Sequence, residues 1–120
     1  MRAPLETQVD RLAAYIRDAK FIEAIDDLYD TNVVIHENED AGREGSDILR
    51  KGTKEFMANF SNYSAELKSV IISNDISTML WHYKFDMNGM GRINTDQISV
   101  QRWKDGRIIH ERHHYKSDKW

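Results

Sequence analysis

Leu5, Val9, Leu12 and Ile16 recur every three or four residues, which places them on one face of a helix over 5–17. Pro4 precedes them, where a first turn tolerates a residue without an N–H. Ile22, Ile25 and Leu28 share a face of a second, shorter helix over 20–29, with Asp18 as its expected cap. Then the period changes. Asn32 to Glu37 is β-branched at its centre and predicts a strand that turns Val33, Ile35 and Glu37 to one side. Asn38 to Gly45 is polar and reads as a loop. Ser46 is the expected N-cap of a third helix over 46–60, with Asp47 in its first turn and Leu49, Gly52, Phe56 and Phe60 on its buried stripe. Gly52 weakens that helix and is read as marking close packing.

From Ala65 the helical period is gone. Four strands are predicted at 65–73, 76–87, 92–103 and 107–117, separated by Asn74-Asp75, Asn88-Gly89-Met90-Gly91 and Lys104-Asp105-Gly106. Connections this short cannot carry parallel crossovers, so these strands are consecutive and antiparallel. In the second of them Met79, Trp81, Tyr83, Phe85 and Met87 share the inner face, opposite His82, Lys84 and Asp86. Helices followed by a meander give an α+β fold, one domain over 1–120.

Composition narrows the class. Apolar residues make up 40% of the chain and charged residues 31%, a globular balance. Without cysteine there is no disulfide, thiolate ligand or thiol nucleophile. The first ten residues lack an apolar core, so no signal peptide is read there, and the expected compartment is the cytoplasm. The longest apolar run, Leu12 to Ile16, is too short to cross a membrane. A net charge of −3 with no basic cluster argues against nucleic acid as a partner.

Three segments carry a resemblance. Tyr29-Asp30-Thr31-Asn32-Val33-Val34-Ile35-His36-Glu37 is similar to the first-strand signature of SnoaL-like proteins, in the nuclear-transport-factor-2-like superfamily. Gly45 with the helix through Phe60 resembles that family's next element, and Val100 to Arg112 its final hairpin. The resemblance implies a cone: a bent antiparallel sheet closed by three N-terminal helices, often dimeric through the outer sheet face. Its members include ketosteroid isomerase, polyketide cyclases, scytalone dehydratase, limonene-epoxide hydrolase and non-catalytic modules, so it fixes fold more closely than chemistry.

The inner face of the last hairpin depends on its register. With a three-residue loop and a bulge at Gly106, Ser99 lies opposite Glu111 and Gln97 opposite His113. With a two-residue Asp105-Gly106 turn, Ser99 faces Arg112 instead. The resemblance favours the first register. It sets Gln97, Ser99, Gln101, Trp103, Ile109, Glu111, His113 and Tyr115 on the pocket side. Ile98, Val100, Ile108, His110, Arg112 and His114 then fall on the outer side, where Ile98, Val100 and Ile108 form the expected dimer patch.

Against the isomerases, Glu37 matches the catalytic aspartate, while Ala13 and Ser99 stand where two oxyanion donors would be. Against the cyclases, Glu111 and His113 take the places of a cavity-facing His-x-Asp pair with the residue types exchanged. The candidate catalytic groups are therefore Glu37, Glu111 and His113. The candidate ligand contacts are Trp81, Tyr83, Gln97, Ser99, Gln101, Trp103 and Tyr115. The implied ligand is a small, mostly apolar molecule, and no cofactor or metal is implied.

Each assignment has a plainer alternative. Glu37 can be a solvated strand end, Glu111 can pair with Arg102 or Arg112, and His113 can be a core histidine. Trp81, Tyr83 and Phe85 can be core rather than cage. His110-Glu111-Arg112-His113-His114 matches the zinc-protease pattern H-E-x-x-H, which needs a helix. On a strand residues i and i+4 lie about 13 Å apart, too far to share a zinc ion. Two classes remain: an acid–base enzyme, performing isomerisation, cyclisation or dehydration, or a non-catalytic binding or dimerisation module.

Overall fold

In the computed structural model, which describes residues 4–116, the helical half of the chain folds onto the inner face of the strand half. The helices are α1 (Leu5–Arg17), α2 (Phe21–Leu28) and α3 (Ser46–Met57). The strands are β1 (Tyr29–Glu37), β2 (Arg43–Glu44), β3 (Phe60–Ser73), β4 (Ile76–Met87), β5 (Gly91–Lys104) and β6 (Arg107–His114). The sheet order is β2-β1-β6-β5-β4-β3. The architecture is α+β, as expected, but the sheet is mixed rather than wholly antiparallel. β3 to β6 form the antiparallel meander, while β1 pairs parallel with β6. More than half of the chain, residues 38–106, connects β1 to β6, so the length limit on parallel crossovers does not bind here.

Several boundaries shift for local reasons. Asp18 closes α1 instead of capping α2, whose first turn follows Lys20 without a side-chain cap. Ser46 is the first residue of α3, and Gly45 stands in the cap position at φ 109°, a conformation that suits glycine. α3 stops at Met57, and Phe60 opens β3 instead of ending the helix. β6 ends at His114; Ser117, the last residue of its expected span, lies outside the described residues. None of α3 is buried, because it packs over a cavity rather than a core. Leu12 and Leu28 from the helices meet Val33, Met79, Trp81 and Ile108 from the sheet in the core itself.

The last hairpin follows neither expected register. Lys104 pairs with Arg107, closing a two-residue Asp105-Gly106 turn in which both residues have positive φ, the twist that suits a hairpin. A bulge then sets Arg102 opposite His110, with Ile109 as the extra residue. Ser99 therefore faces His113, and Gln101 faces Glu111. The bulge restores the parity that the short turn had shifted, so Gln97, Ser99, Gln101, Glu111 and His113 still share the inner face. Only the residues beside the turn change sides. Ile108 is fully buried in the core, not part of an outer patch, and Ile109 is the half-buried bulge residue. Ile108→Ala should thus cost about 2–5 kcal/mol in urea denaturation, the range for core truncations. A loss below about 0.5 kcal/mol, typical of surface sites, would place Ile108 outside the core.

Candidate functional site

Between the helices and the sheet lies a cavity of about 450 Å³. Leu12 and Ile16 of α1, Phe21 and Ile25 of α2 and Leu49 and Phe56 of α3 form one wall. Tyr63, Tyr83, Phe85, Met87 and Ile93 of the sheet form the other. Ile48 and Met90 also line it while 53% and 57% exposed, so they stand at its mouth. Phe56 meets Phe85 edge-on at 5.5 Å and stacks on Phe60 at 4.8 Å, joining the two walls through rings. Gly52 lines the same space from α3, and a Cβ built there would meet nothing within 4 Å. It therefore does not mark close packing.

One end is polar. β1 and β6 run side by side with Ile35 opposite Glu111 and Glu37 opposite His113, so the parallel pairing brings all three chemical candidates to one place. Glu37, Glu111 and His113 all line the cavity. His113 Nε2 lies 3.2 Å from Glu111 Oε1, and its Nδ1 faces the Gln97 amide at 3.1 Å. Glu111 is 2% exposed and, among the described residues, has no arginine partner; Arg102 and Arg112 lie on the opposite face. Its oxygens instead accept hydrogen bonds from Tyr29 Oη at 2.7 Å and Gln101 Nε2 at 2.8 Å. Behind Gln101 the donors continue in one direction. Ser77 Oγ donates to Gln101 Oε1 at 2.7 Å, and Trp103 Nε1 donates to Ser77 Oγ at 2.9 Å.

This environment fixes charge. Burial pushes the Glu111 carboxyl upward, but the His113 charge and the donors of His113, Tyr29 and Gln101 outweigh it and hold its pKa below the ordinary value. Burial likewise pushes His113 down, and the Glu111 carboxylate outweighs it, so the net shift is upward. The two groups form an imidazolium–carboxylate pair. Tyr29 and Tyr83 are held protonated chiefly by burial, and burial with the neighbouring Glu37 carboxylate pushes Tyr115 up to about 12. Glu37 is less enclosed: it hydrogen-bonds Tyr115 and sits 3.8 Å from the Arg43 guanidinium.

Of the expected ligand contacts, Tyr83, Gln97, Ser99 and Tyr115 line the cavity. Trp81, Gln101 and Trp103 do not. Trp81 is fully buried against Tyr83, while Gln101 and Trp103 are members of the donor chain behind Glu111. Ser99 differs from them all. It is 2% exposed, it lines the cavity, and its hydroxyl has no hydrogen-bond partner among the described residues. Tyr29, Ser77 and Arg43 were not expected at the site. Extending the alternation of Val33 back to Tyr29, and that of Met79 back to Ser77, would have found the first two. His110 and His114 stand on strand β6 facing the outer groove, with His110 packed against His36 at 4.9 Å. Among the described residues no helix is long and apolar enough to cross a membrane.

A family model described as a SnoaL-like domain matches residues 9–111. The chain belongs to the SnoaL-like family. Solved structures agree on the fold. A candidate SnoaL-like polyketide cyclase from Mesorhizobium loti superposes with TM-score 0.82 at 16% identity, covering 94% of this chain and all of that one. A protein of ketosteroid isomerase-like fold from Catenulispora acidiphila, in complex with trimethylamine, gives 0.76 at 14% identity, covering 91% and 85%. An LEH-like epoxide hydrolase of M. tuberculosis gives 0.74 at 12% identity, covering 92% and 84%. At such identities the likeness extends to the SnoaL-like fold alone. No curated protein matches the chain significantly.

The pair predicts a pH signature. The raised His113 contributes stability fully below its ordinary 6.5 and loses it as pH rises through its folded value. The lowered Glu111 contributes above its ordinary 4.5 and loses it as pH falls through its folded value. Stabilisation by the pair is therefore greatest between about pH 4.5 and 6.5. In an NMR titration the His113 ring should have a midpoint above 6.5, and Glu111→Gln should move it down, since burial and the Arg43 charge are then opposed by Glu37 alone. An unmoved midpoint would mean that Glu111 does not tune the ring.

Proposed function

We propose that the cavity binds a small, mostly apolar molecule through one oxygen and moves a proton on it, in an isomerisation, cyclisation or dehydration. The observation that carries this reading is the pairing of a carboxylate-tuned imidazole with an unsatisfied buried hydroxyl at the polar end of an apolar cavity. A buried hydroxyl without a partner is costly, and a ligand oxygen would satisfy it. In the neutral ring, Nε2–H donates to Glu111; the Gln97 amide beside Nδ1 turns aside for the ligand, and the Nδ1 lone pair then takes a proton from a carbon next to the ligand carbonyl. The electron pair moves to the carbonyl oxygen, where Ser99 O–H donates to it. Glu111 offsets the charge gained by the ring, and Nδ1–H returns the proton at another position. Glu37, opposite His113 on the neighbouring strand, is the second base.

The second reading is a non-catalytic binder of the same ligand class. The observation in its favour is Glu37 held by Arg43 and Tyr115, as a structural ion pair would be. Deuterium uptake separates the two. Incubated with 2-tetralone in D₂O, the protein should exchange the acidic α-hydrogens faster than buffer, with a rate that rises with pH through the His113 midpoint. His113→Asn and Glu111→Gln should each lower it about 100-fold or more. A ketone that binds without enhanced exchange would leave the binder reading.

We also propose that a second copy covers the outer sheet face. Ile98 and Ile71 are exposed there, on adjoining cross-strand rows with Leu80 and Val100, even with Ile108 removed from the patch. Light scattering should give a dimer at micromolar concentration and a monomer for Ile98→Asp. A wild-type monomer would count against it.

A further inference from the structure

α3 contains a residue that neither its helix nor its packing explains. Gly52 lies in the middle of Ser46–Met57, where glycine is among the least favourable residues for a helix. Mid-helix glycines commonly serve a positive φ or a close approach of another backbone. Neither applies. Gly52 is not among the positive-φ residues, and a side chain begun there would touch nothing within 4 Å. By contrast, a Cβ at Gly42 would come within 2.5 Å of the His36 ring. Gly52 is also three residues after Leu49 and four before Phe56, two of the residues through which α3 lines the cavity. The space left by the missing side chain is therefore space inside the cavity.

We propose that Gly52 is the specificity-determining position of the site: it leaves bare backbone on which a bulky ring of the ligand rests, while the ligand oxygen lies at the polar end. This rests on the reading of the cavity as a ligand site and adds the size class of the ligand. A cavity of about 450 Å³ falls within the range of about 300–1,000 Å³ that holds drug-sized molecules, so the occupant has two or more rings rather than one. Phe56 and Phe85, edge-to-face beside this stretch of α3, supply a flat-sided wall for such rings.

The test uses N-phenyl-1-naphthylamine, a neutral multi-ring probe that fluoresces in apolar surroundings, with phenol as a one-ring control measured by calorimetry. Gly52→Ala should raise the melting temperature by about 3–6 °C, because the helix gains propensity and the new methyl meets open space. Gly52→Leu should remain folded, as a melting scan checks, and should weaken the multi-ring probe roughly 10- to 200-fold, as added methylenes do in an apolar pocket. Phenol binding should change less than about threefold. Unchanged probe affinity in a folded Gly52→Leu, or a lowered melting temperature in Gly52→Ala, would overturn the role of Gly52 and leave the acid–base site standing. Failure of the wild-type protein to bind either probe would remove the cavity reading and this inference with it.

Discussion

A carboxylate sealed from water is the constraint around which the rest of this protein is arranged. An isolated buried charge costs several kcal/mol, and Glu111 avoids that cost only because donors reach it from two other strands and from its own. Tyr29 arrives at the start of β1, Gln101 across the hairpin from β5, and His113 from two residues along its own strand. Ser77 on β4 orients Gln101 in turn. Four strands must therefore hold one register for the charge to be tolerated. A slip of one residue in any of them would turn a donor to the other face and leave the carboxylate short. The network that tunes the imidazole also pins the sheet.

The same carboxylate explains why this site is built on strands instead of loops. Alternation places residues two apart on one face, which is what Glu111 and His113 need to touch. The parallel seam between β1 and β6 then adds Glu37 without any loop having to reach inward. The helices contribute shape and no charge to the polar end. α3 in particular buries none of its residues, and its apolar face is kept for the cavity.

Much of this was legible in the sequence because two strong periods, 3.6 and 2, divide the chain cleanly. Alternation alone put Glu111 and His113 on one face, and resemblance supplied Glu37 beside them. What stayed hidden was geometry that changes parity without changing composition. The bulge at Ile109 is one β-branched residue among others, and only the positive φ of Asp105 and Gly106 together reveals that the turn was short. Ile108 and Ile109 are chemically identical, so nothing in the chain itself says which of them enters the core. Strand starts were missed for a similar reason. Tyr29 follows directly on α2, and the helical pattern of Ile22, Ile25 and Leu28 masks the first residues of β1. The lone hydroxyl of Ser99 was readable as a pocket residue, but its lack of a partner depends on where every neighbour points.

The bond between Tyr29 and Glu111 spans 82 residues, and it sets the order in which the molecule can be made. Contacts this distant along the chain close late, because the entropy of ordering the intervening loop is lost before any contact forms. During synthesis β1 leaves the ribosome long before β6 exists to pair with it, and β2 alone cannot complete its edge. For that interval β1 and β5 have no strand between them, and the sheet lacks the seam that joins its two parts. Closing the final hairpin adds the carboxylate, the imidazole and the last seam of the sheet in a single event. A chain that ends before β6 lacks Glu111 and His113 and leaves β1 and β5 without the strand that joins them.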